Sequence, residues 1–600
     1  MDILEKEIDV DEPIKFEDIA LSLGKKQKQT SIAEFFQKNR QFLGFGNKSR
    51  NLLMALKEMI DNSLDACNEA YILPEINIAI EKWGKFYKLT VQDNGPGIIK
   101  DKINNIFGRF LYGSKFHILK QTRGQQGIGI TAVVMESLTS TGNPITIISK
   151  ISSEDFAIKK VLTINVKTNQ PKIIETKKVN VDFKSGTILG VILEANFAFE
   201  GKHGIKSWLQ IVSIVNPDTT INFKGPSGEE LNFERSIEQS RGIGKEINLH
   251  PNNLNLNQLQ SALEAYPETI FNFLLSKLYG LTQKQVVNIL LELSIIAERY
   301  AKTLSKLEIS QLLDILKDIK VAPTTEMLNL IKRDNFLKSL TKTLPYNFIS
   351  TASSLPKGDE GNIFVIEGGL VYDKEGSFDQ KIEIIRIANN VPLFYQQGAC
   401  LLYKNVCEFN WKNVELSQTK NELPYGPIKL FLHVAAIKIK FTSESKDAIA
   451  DSSVFSDSIK EVLEKLNKDL LKFRKREKLQ KKKEEKEKVI NEIFPKIVSG
   501  ISNFLDLPEP PVQRLYSNIL DAPILFLKKH NDKIIIKIIN NNREKYNFIF
   551  STLEVEQLLN YSTSKLEDFI ELEYNLHERL IINESTDKVF FIKSDKDIIL

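Results

Sequence analysis

The sequence predicts an α+β multidomain protein. Its expected parts are a mixed sheet-and-helix domain, a purely helical insert, a second sheet domain running into a long charged helix, and a small β-rich module. Three observations lead there. The chain has 600 residues, too many for one core when domains hold about 100 to 200 each. Runs of period-2 hydrophobicity, the mark of half-buried strands, occur in two separated regions. Between those regions the pattern is helical only.

Residues 1–29 are polar and acidic and read as a flexible extension. The first domain, 30–240, is expected to be an α/β sandwich, a mixed sheet with helices, and opens at Ser31 with SIAEFFQKNRQFLGFGNKSRNLLMALKEMIDNSLDAC. This stretch is helical by pattern, with Leu53, Leu56 and Ile60 spaced for one buried face. INIAIEKW and FYKLTVQD alternate as two strands between Ile76 and Val91. ITIISKIS, KKVLTINV and GTILGVILEANF form a second strand group from about Ile145 to Phe197. In the helical segment, 241–322, LLSKLYG ends on Gly280, where a C-terminal cap belongs, and Thr282 can cap TQKQVVNILLEL. Strands return in 323–456, in NIFVIEGGLVY, KIEIIRIANNVPL and IKLFLHVAAIKIKF.

A long basic helix occupies 457–507, charged from about Asp457 to Lys488, and Pro508, Pro510 and Pro511 mark a linker. Residues 508–600 form the β-rich module, for which an immunoglobulin-like sandwich is the expectation. There KIIIKIINNNREKYNFIFS reads as two strands around an Asn-rich hairpin turn.

Hydrophobic residues at 42% and charged residues at 26% are ordinary for globular chains. No uncharged apolar run reaches the roughly 18 residues that a membrane span needs. The start, MDILEKEIDVDEP, is acidic where a secretory signal is basic and then apolar. Cys67, Cys400 and Cys407 form no CxxC pair, which fits a reducing compartment without structural zinc. A cytoplasmic protein is the expectation. Net charge is only +4, but 472–488 holds ten Lys or Arg against four Glu. That stretch is either a solvated helix laced with ion pairs or a face for duplex DNA.

Glu58, Asn62 and Asp65 fall at i, i+4 and i+7, on one helical face. Alone they read as a solvated polar face opposite a buried stripe. Asp93-Asn94-Gly95-Pro96-Gly97 follows the strand KLTVQ, which puts a carboxylate at a strand end beside glycines that let backbone turn closely around a ligand. The same five residues would also make a β-turn. RGQQGIGITAVVMES, from Arg123, is a glycine-rich loop entering an apolar helix, where backbone N–H groups and the helix N-terminus suit phosphate oxygens. Its spacing is neither the P-loop nor the dinucleotide fingerprint. Each element is weak by itself; in this order they support one another.

In that order the motifs resemble the Bergerat-fold ATPases, the group of gyrase, the ninety-kilodalton heat-shock chaperones, histidine kinases and MutL proteins. The resemblance implies ATP and Mg²⁺ as cofactors. It assigns Glu58 as the base that activates water, Asn62 as the Mg²⁺ ligand, Asp93 as the adenine acceptor and Gly97 as a wall of its pocket. Gly124, Gln125, Gln126, Gly127, Ile128 and Gly129 would line the phosphates. Gly113, Ser114 and Lys115, in FLYGSKFH, join the ATP contacts, and Thr187, in SGTILGV, closes the adenine pocket.

SIAEFF, MIDNSLDAC, FGRFLYGSKFH, TRGQQGIGITAVV and FTSESKDAIA further resemble the B subunits of DNA topoisomerase VI, in register from about Ser31 to Lys475. The resemblance implies an N-terminal strap, a helix-two-turn-helix insert and a transducer domain. Its γ-phosphate lysine falls at Lys446, with Lys420 in SQTKNELP as the competitor in a gyrase-like context. The DNA-contact motif Trp-Lys-any-Tyr is altered: Trp411 and Lys412 are followed by Asn413 and Val414.

Such a protein self-dimerises on ATP binding and assembles as a heterotetramer, A2B2, with a tyrosine-bearing A subunit. Its closure gates the passage of one DNA duplex through a double-strand break that the partner makes. That activity relaxes positive and negative supercoils and decatenates DNA. The only Asp-x-Asp pairs outside the motifs, Asp9 with Asp11 and Asp595 with Asp597, lie at the termini, so cleavage is assigned to the partner. A histidine kinase would need a phosphoacceptor histidine upstream of the Asn motif, whereas the first histidine is His117. A chaperone or meiotic-type scaffold is the other alternative, and an intact Glu58 weighs against a dead site.

Overall fold

The computed structural model describes residues 23, 30–113, 121, 123, 127–201, 203–242, 249–251, 254–319, 325–359, 362–443 and 446–508, and the strands 524–530, 533–539, 546–552, 555–563, 570–575 and 591–594. Apart from residue 23, the acidic extension 1–29 lies outside the described residues, as do Asp595 and Asp597. The chain divides into two compact units, Met1–Leu471 and Lys472–Leu600.

The first unit begins with helix α1 (Ile32–Lys38), whose N-cap Ser31 accepts from the Glu34 amide. Helix α2 (Lys48–Glu69) is capped by Asn47 and buries Leu53, Leu56 and Ile60 on the face the spacing indicated. Eight strands follow: β1 (Glu75–Trp83), β2 (Phe86–Asp93), β3 (Ile145–Lys150), β4 (Ala157–Asn165), β5 (Gln170–Val179), β6 (Gly186–Leu193), β7 (Thr220–Lys224) and β8 (Glu230–Phe233). They form one mixed sheet in the order β5-β4-β3-β6-β2-β1-β7-β8. Helix α3 (Lys100–Gly108) and helix α4 (Gly129–Thr141) interrupt the strands, and α5 (Ile205–Val215) precedes β7. Alternation decides which side is covered. Ile76, Ile78, Ile80, Leu89, Val91, Ile145 and Ile147 are buried and share a core with α2 and α4.

A helical unit follows, with α6 (Leu256–Ala265), α7 (Ile270–Lys277), α8 (Gln283–Glu292) and α9 (Lys306–Asp318) around a core that includes Leu259, Phe273, Leu274, Val286 and Leu312. Thr282 caps α8 in a reciprocal capping box with Gln285, and Ser305 with Glu308 does the same for α9.

Helix α10 (Arg333–Thr343) leads into the second sheet: β9 (Phe348–Ser353), β10 (Lys357–Asp359), β11 (Asn362–Tyr372), β12 (Glu383–Ala388), β13 (Val391–Leu393) and, after helix α11 (Leu401–Glu408), β14 (Ile428–Ala436). The order is β10-β11-β14-β12-β13, with β9 paired to β11. Adjacent glycines in β11 admit a helix on each face. A Cβ on Gly369 would lie 2.8 Å from Leu340 of α10, and one on Gly368 would lie 2.5 Å from Val462 of helix α12 (Ser453–Leu505). Ile211, Ile214 and Val215 of α5 join this sheet's core with Phe336, Ile387 and Phe431.

Helix α12 starts before the Asp457 that composition marks and continues to Leu505, with Pro495 inside it. The charged stretch is thus only the middle of the element.

The second unit holds the rest of α12 and six strands: β15 (Ile524–His530), β16 (Lys533–Ile539), β17 (Tyr546–Thr552), β18 (Val555–Thr563), β19 (Ile570–Asn575) and β20 (Phe591–Ser594). They form two three-stranded sheets, β15-β16-β19 and β18-β17-β20. This corrects the expected hairpin, because β16 and β17 belong to different sheets. Only residues 531 and 532 separate β15 from β16, against 540–545 between β16 and β17, and the shorter loop closes at lower entropic cost. Among the described residues no helix is long and apolar enough to cross a membrane.

Candidate nucleotide site

The site's floor is one register row of the first sheet. Asp93, at the end of β2, pairs with Thr187 on β6, and Thr187 pairs with Ser149 on β3. Directly opposed residues present their side chains to the same face, so a carboxylate and two hydroxyls stand in line. Ser63 of α2 donates to Asp93 Oδ2 at 2.9 Å. The Gly95 and Thr187 amides donate to Oδ1 at 3.0 and 3.1 Å. Thr187 Oγ1 and Ser149 Oγ are 3.0 Å apart, and the Ile98 amide donates to Ser149 Oγ at 2.8 Å. Burial pushes the Asp93 carboxyl above its ordinary range, opposed by the bonds from Ser63, Gly95 and Thr187. An ionised carboxylate has about four acceptor positions. Among the described residues three are filled, which leaves one for an outside N–H donor such as an exocyclic amine. Gly97, at φ +76°, turns the chain where a Cβ would lie 2.0 Å from the Lys150 carbonyl oxygen.

The second constellation joins α2 to the start of α4. A Cβ on Gly129 would lie 1.9 Å from Glu58 Oε2, so the carboxylate stands against the first turn of α4, where backbone N–H groups lack helical partners. Lys57 Nζ donates to Glu58 Oε1 at 3.4 Å. Burial alone would lower the Lys57 pKa, but the carboxylates of Glu58, Asp61 and Asp447 outweigh it and hold the ammonium charged. Burial pushes the Asp61 carboxyl up to about 7, with Glu58 adding to the rise and Lys57 and Arg123 opposing it.

Asn62 is exposed, and its Nδ2 donates to the Glu58 carbonyl at 2.8 Å. Its Oδ1 is thereby presented as a neutral oxygen ligand of the kind hard divalent cations take. Among the described residues no cluster of three His, Cys, Asp or Glu could hold a metal. Mg²⁺ is ordinarily bound by one or two protein oxygens together with substrate phosphates, which this donor set fits.

Asp65 does not join Glu58 and Asn62. It accepts from Arg123 Nη1 at 2.7 Å, and the two side chains are 5% and 4% exposed. The i+7 spacing keeps the nominal face, but at this end of α2 that face is covered by Arg123. Gly113 is exposed at the end of the segment whose Leu111 amide donates to the Gly127 carbonyl at 3.0 Å. Gly127 has φ +60°, and the Ile128 carbonyl accepts from the Ala132 amide at 2.8 Å as α4 starts. Ser114, Lys115, Gly124, Gln125 and Gln126 lie outside the described residues.

Lys446 is half-buried and lies between Phe441 and Ile449, which are joined by a β-bridge. Its neighbour Asp447 accepts from Arg50 Nη2 at 3.0 Å, and Arg50 lies two turns before Lys57 on α2. Lys420 is exposed, and Gln418 of the same QTK segment donates to the carbonyls of Cys407 and Glu422, both at 3.0 Å. Trp411 is fully buried, its indole N–H donating to the Val406 carbonyl at 3.1 Å. Only Lys412 of that pair reaches the surface.

Sequence reasoning passed over Ser63, Ser149, Lys57 and Asp61. Ser149 carried a signal: in ITIISK it continues the inward positions of Ile145 and Ile147 with a polar residue.

Two family profiles match. One, described as "Histidine kinase-, DNA gyrase B-, and HSP90-like ATPase", covers residues 47–170; the other, "Topoisomerase VI B subunit, transducer", covers 323–488. Among curated relatives, the type 2 DNA topoisomerase 6 B subunit of Methanococcoides burtonii is 38% identical over 84% of this chain and 82% of its own length. That of Methanosarcina barkeri is 36% identical over 88% and 87%. That of Archaeoglobus fulgidus is 33% identical over 82% of each. With the ATPase-type sheet and helices, the second sheet and this degree of identity together, the chain belongs to the family of type 2 DNA topoisomerase 6 B subunits.

Proposed function

We propose that this protein hydrolyses ATP with Glu58 as general base, and that the free energy of nucleotide binding drives closure of two copies around DNA. The observation that carries the reading is the Glu58 carboxylate standing against Gly129 at the first turn of α4. Phosphate oxygens are favoured at a helix N-terminus, so a base beside it stands next to a terminal phosphate and the water that attacks it. Lys57, kept charged by its carboxylate neighbours, holds one Glu58 oxygen and so orients the carboxylate. Asp93 takes the adenine amine on its remaining acceptor position, with Thr187 and Gly97 shaping the pocket. Gly113, Ser114 and Lys115, and the run Gly124 to Gly129, surround the phosphates.

Asn62 Oδ1 is the protein ligand for Mg²⁺, which when bound neutralises phosphate charge and fixes the phosphate geometry. Lys446 reaches the γ-phosphate; its loop is anchored to α2 through Asp447 and Arg50, an anchorage the Lys420 segment lacks among the described contacts. A ligand that binds the closed state better than the open one shifts the population by that difference. Closure thereby becomes ATP-dependent, and hydrolysis resets it. The A subunit supplies the double-strand break, two copies of each chain make A2B2, and Lys412 with the basic stretch 472–488 meets DNA phosphates in the nucleoid. The products are relaxed supercoils of either sign and unlinked circles.

A positioned base is worth about 10²- to 10⁴-fold. Glu58→Ala is expected to bind an ATP analogue with near wild-type affinity and to lose hydrolysis by that factor. Retained turnover would remove Glu58 from its role.

A further inference from the structure

A buried chain of hydrogen bonds links the entrance of the glycine-rich loop to the second sheet. It centres on the turn between β12 and β13, which are joined only by Asn389 and Asn390, at φ +50° and +65°. Two-residue hairpins favour positive φ at both positions, and asparagine tolerates it. Loops normally lie at the surface because their backbone groups need water. This turn is inside, with Asn390 2% exposed.

Asn390 compensates with bonds in four directions. Its Oδ1 accepts from Gln121 Nε2 at 3.2 Å and its Nδ2 donates to the Val215 carbonyl at 3.0 Å. Its amide donates to His433 Nε2 at 3.0 Å, and its carbonyl accepts from Asn216 Nδ2 at 3.4 Å. Because His433 Nε2 accepts, the ring proton sits on Nδ1 and is donated to Glu367 Oε2 at 2.9 Å. Glu367 also accepts the Ile331 and Lys332 amides at 2.9 and 2.8 Å, just before α10. On the other side, Asn216 Oδ1 accepts from Arg123 Nη2 at 2.6 Å, and Arg123 holds Asp65 of α2. Gln121 Oε1 accepts the Asn329 amide at 2.7 Å. Gln121 and Arg123 both precede Gly124, so the turn and its neighbours hold the loop's stem at two points.

We propose that Asn390 is a positioning residue for ATP: through Gln121, and through Asn216 and Arg123, the buried turn sets where the glycine-rich loop enters the site and ties that position to the second sheet. This rests on the reading that the loop holds phosphates. The side chains of Asn390, Gln121, Asn216, Arg123, His433 and Glu367 are buried, and leaving one partner unsatisfied costs more than the bond itself contributes. The chain therefore holds or yields as a unit. Asp65, at the third place of the polar helix pattern, acts here as an anchor for Arg123 and not as a ligand.

The test is a double-mutant cycle on the full chain, assayed for steady-state ATP hydrolysis with its A subunit and duplex DNA. Asn390→Gly keeps the turn, since glycine adopts φ +65° readily, and removes both side-chain bonds. Gln121→Met keeps the length and removes the polar end. Each single variant loses the bond between Gln121 and Asn390 and is expected to raise KM for ATP roughly three- to ten-fold, the range that one shared hydrogen bond spans, with kcat within about twofold. The double variant should be no worse than the worse single. KM effects that multiply, an unchanged KM, or a lower kcat at constant KM as from a smaller folded fraction, would overturn the proposal. Wild-type turnover measured alongside separates the two possible failures, because it is absent only when the proposed function itself is wrong.

Discussion

Substitution of Gly129 by alanine separates folding from chemistry at this site. The position is the first of helix α4 and its φ is not positive, so an alanine backbone fits, and alanine is favoured over glycine in a helix by up to about 1 kcal/mol. The new methyl would lie 1.9 Å from Glu58 Oε2 and 2.8 Å from its carboxyl carbon. Ordinary contact begins near 3.4 Å, so the carboxylate must retreat by about 1.5 Å. A flexible glutamate does this at little cost to stability. Hydrolysis is less tolerant, since misplacement of a reacting group by about 1 Å costs on the order of 10²-fold. Gly129→Ala is therefore expected to melt at or above the wild-type temperature while its ATPase rate falls about 10²-fold. Thermal unfolding and a coupled-enzyme ATPase assay read the two effects independently. A rate within about threefold of wild type would refute the placement of Glu58 against the phosphate end of the site.

Gly97→Ala combines a φ of +76° with a Cβ 2.0 Å from the Lys150 carbonyl oxygen; it should weaken a fluorescent ATP analogue by more than about tenfold, and an unchanged Kd would show that the pocket lies elsewhere. Lys446→Ala should lower ATPase by roughly 10²-fold, the scale of one lost charge-stabilising donor, while Lys420→Ala stays near wild type; a larger loss from Lys420 would reverse the assignment. Arg299 and Ser305 hold the Glu308 carboxyl down to about 2, against an ordinary 4.5. A depressed folded pKa gives stability that is complete above pH 4.5 and lost as pH falls towards 2. Hydrogen-exchange protection of the helices between Leu256 and Asp318 should therefore drop in Glu308→Gln at neutral pH and converge with wild type in acid; a difference constant with pH would show that the ion pair contributes nothing.

The fold class was legible because the strands of the first sheet alternate cleanly and α2 carries its buried stripe at helical spacing. What the sequence could not provide is long-range register. Asp93 and Thr187 stand opposite each other across 94 residues, and each is visible only as the end of its own strand until the pairing aligns them with Ser149. Asp65 shows the limit of spacing arguments: periodicity names a face, but a distant arginine decides whether that face meets solvent. Trp411 shows the same for a family motif, since the resemblance pairs it with Lys412 as a DNA contact while its side chain is fully buried. Asn389 and Asn390 were hidden inside KIEIIRIANNVPL, where two asparagines between apolar runs are a turn signal. The paired strands of the last module were misassigned because β-propensity marks strands and says nothing of which strand they join.

In the proposed function, ATP turnover at Glu58 drives duplex passage through a break the partner makes. It is tested most directly by combining the chain with its A subunit on supercoiled plasmid, with ATP, without ATP, and with Glu58→Ala in place of the wild type. Relaxation is expected only with the wild-type chain and ATP. Relaxation without ATP, undiminished relaxation by Glu58→Ala, or none under any condition would contradict it.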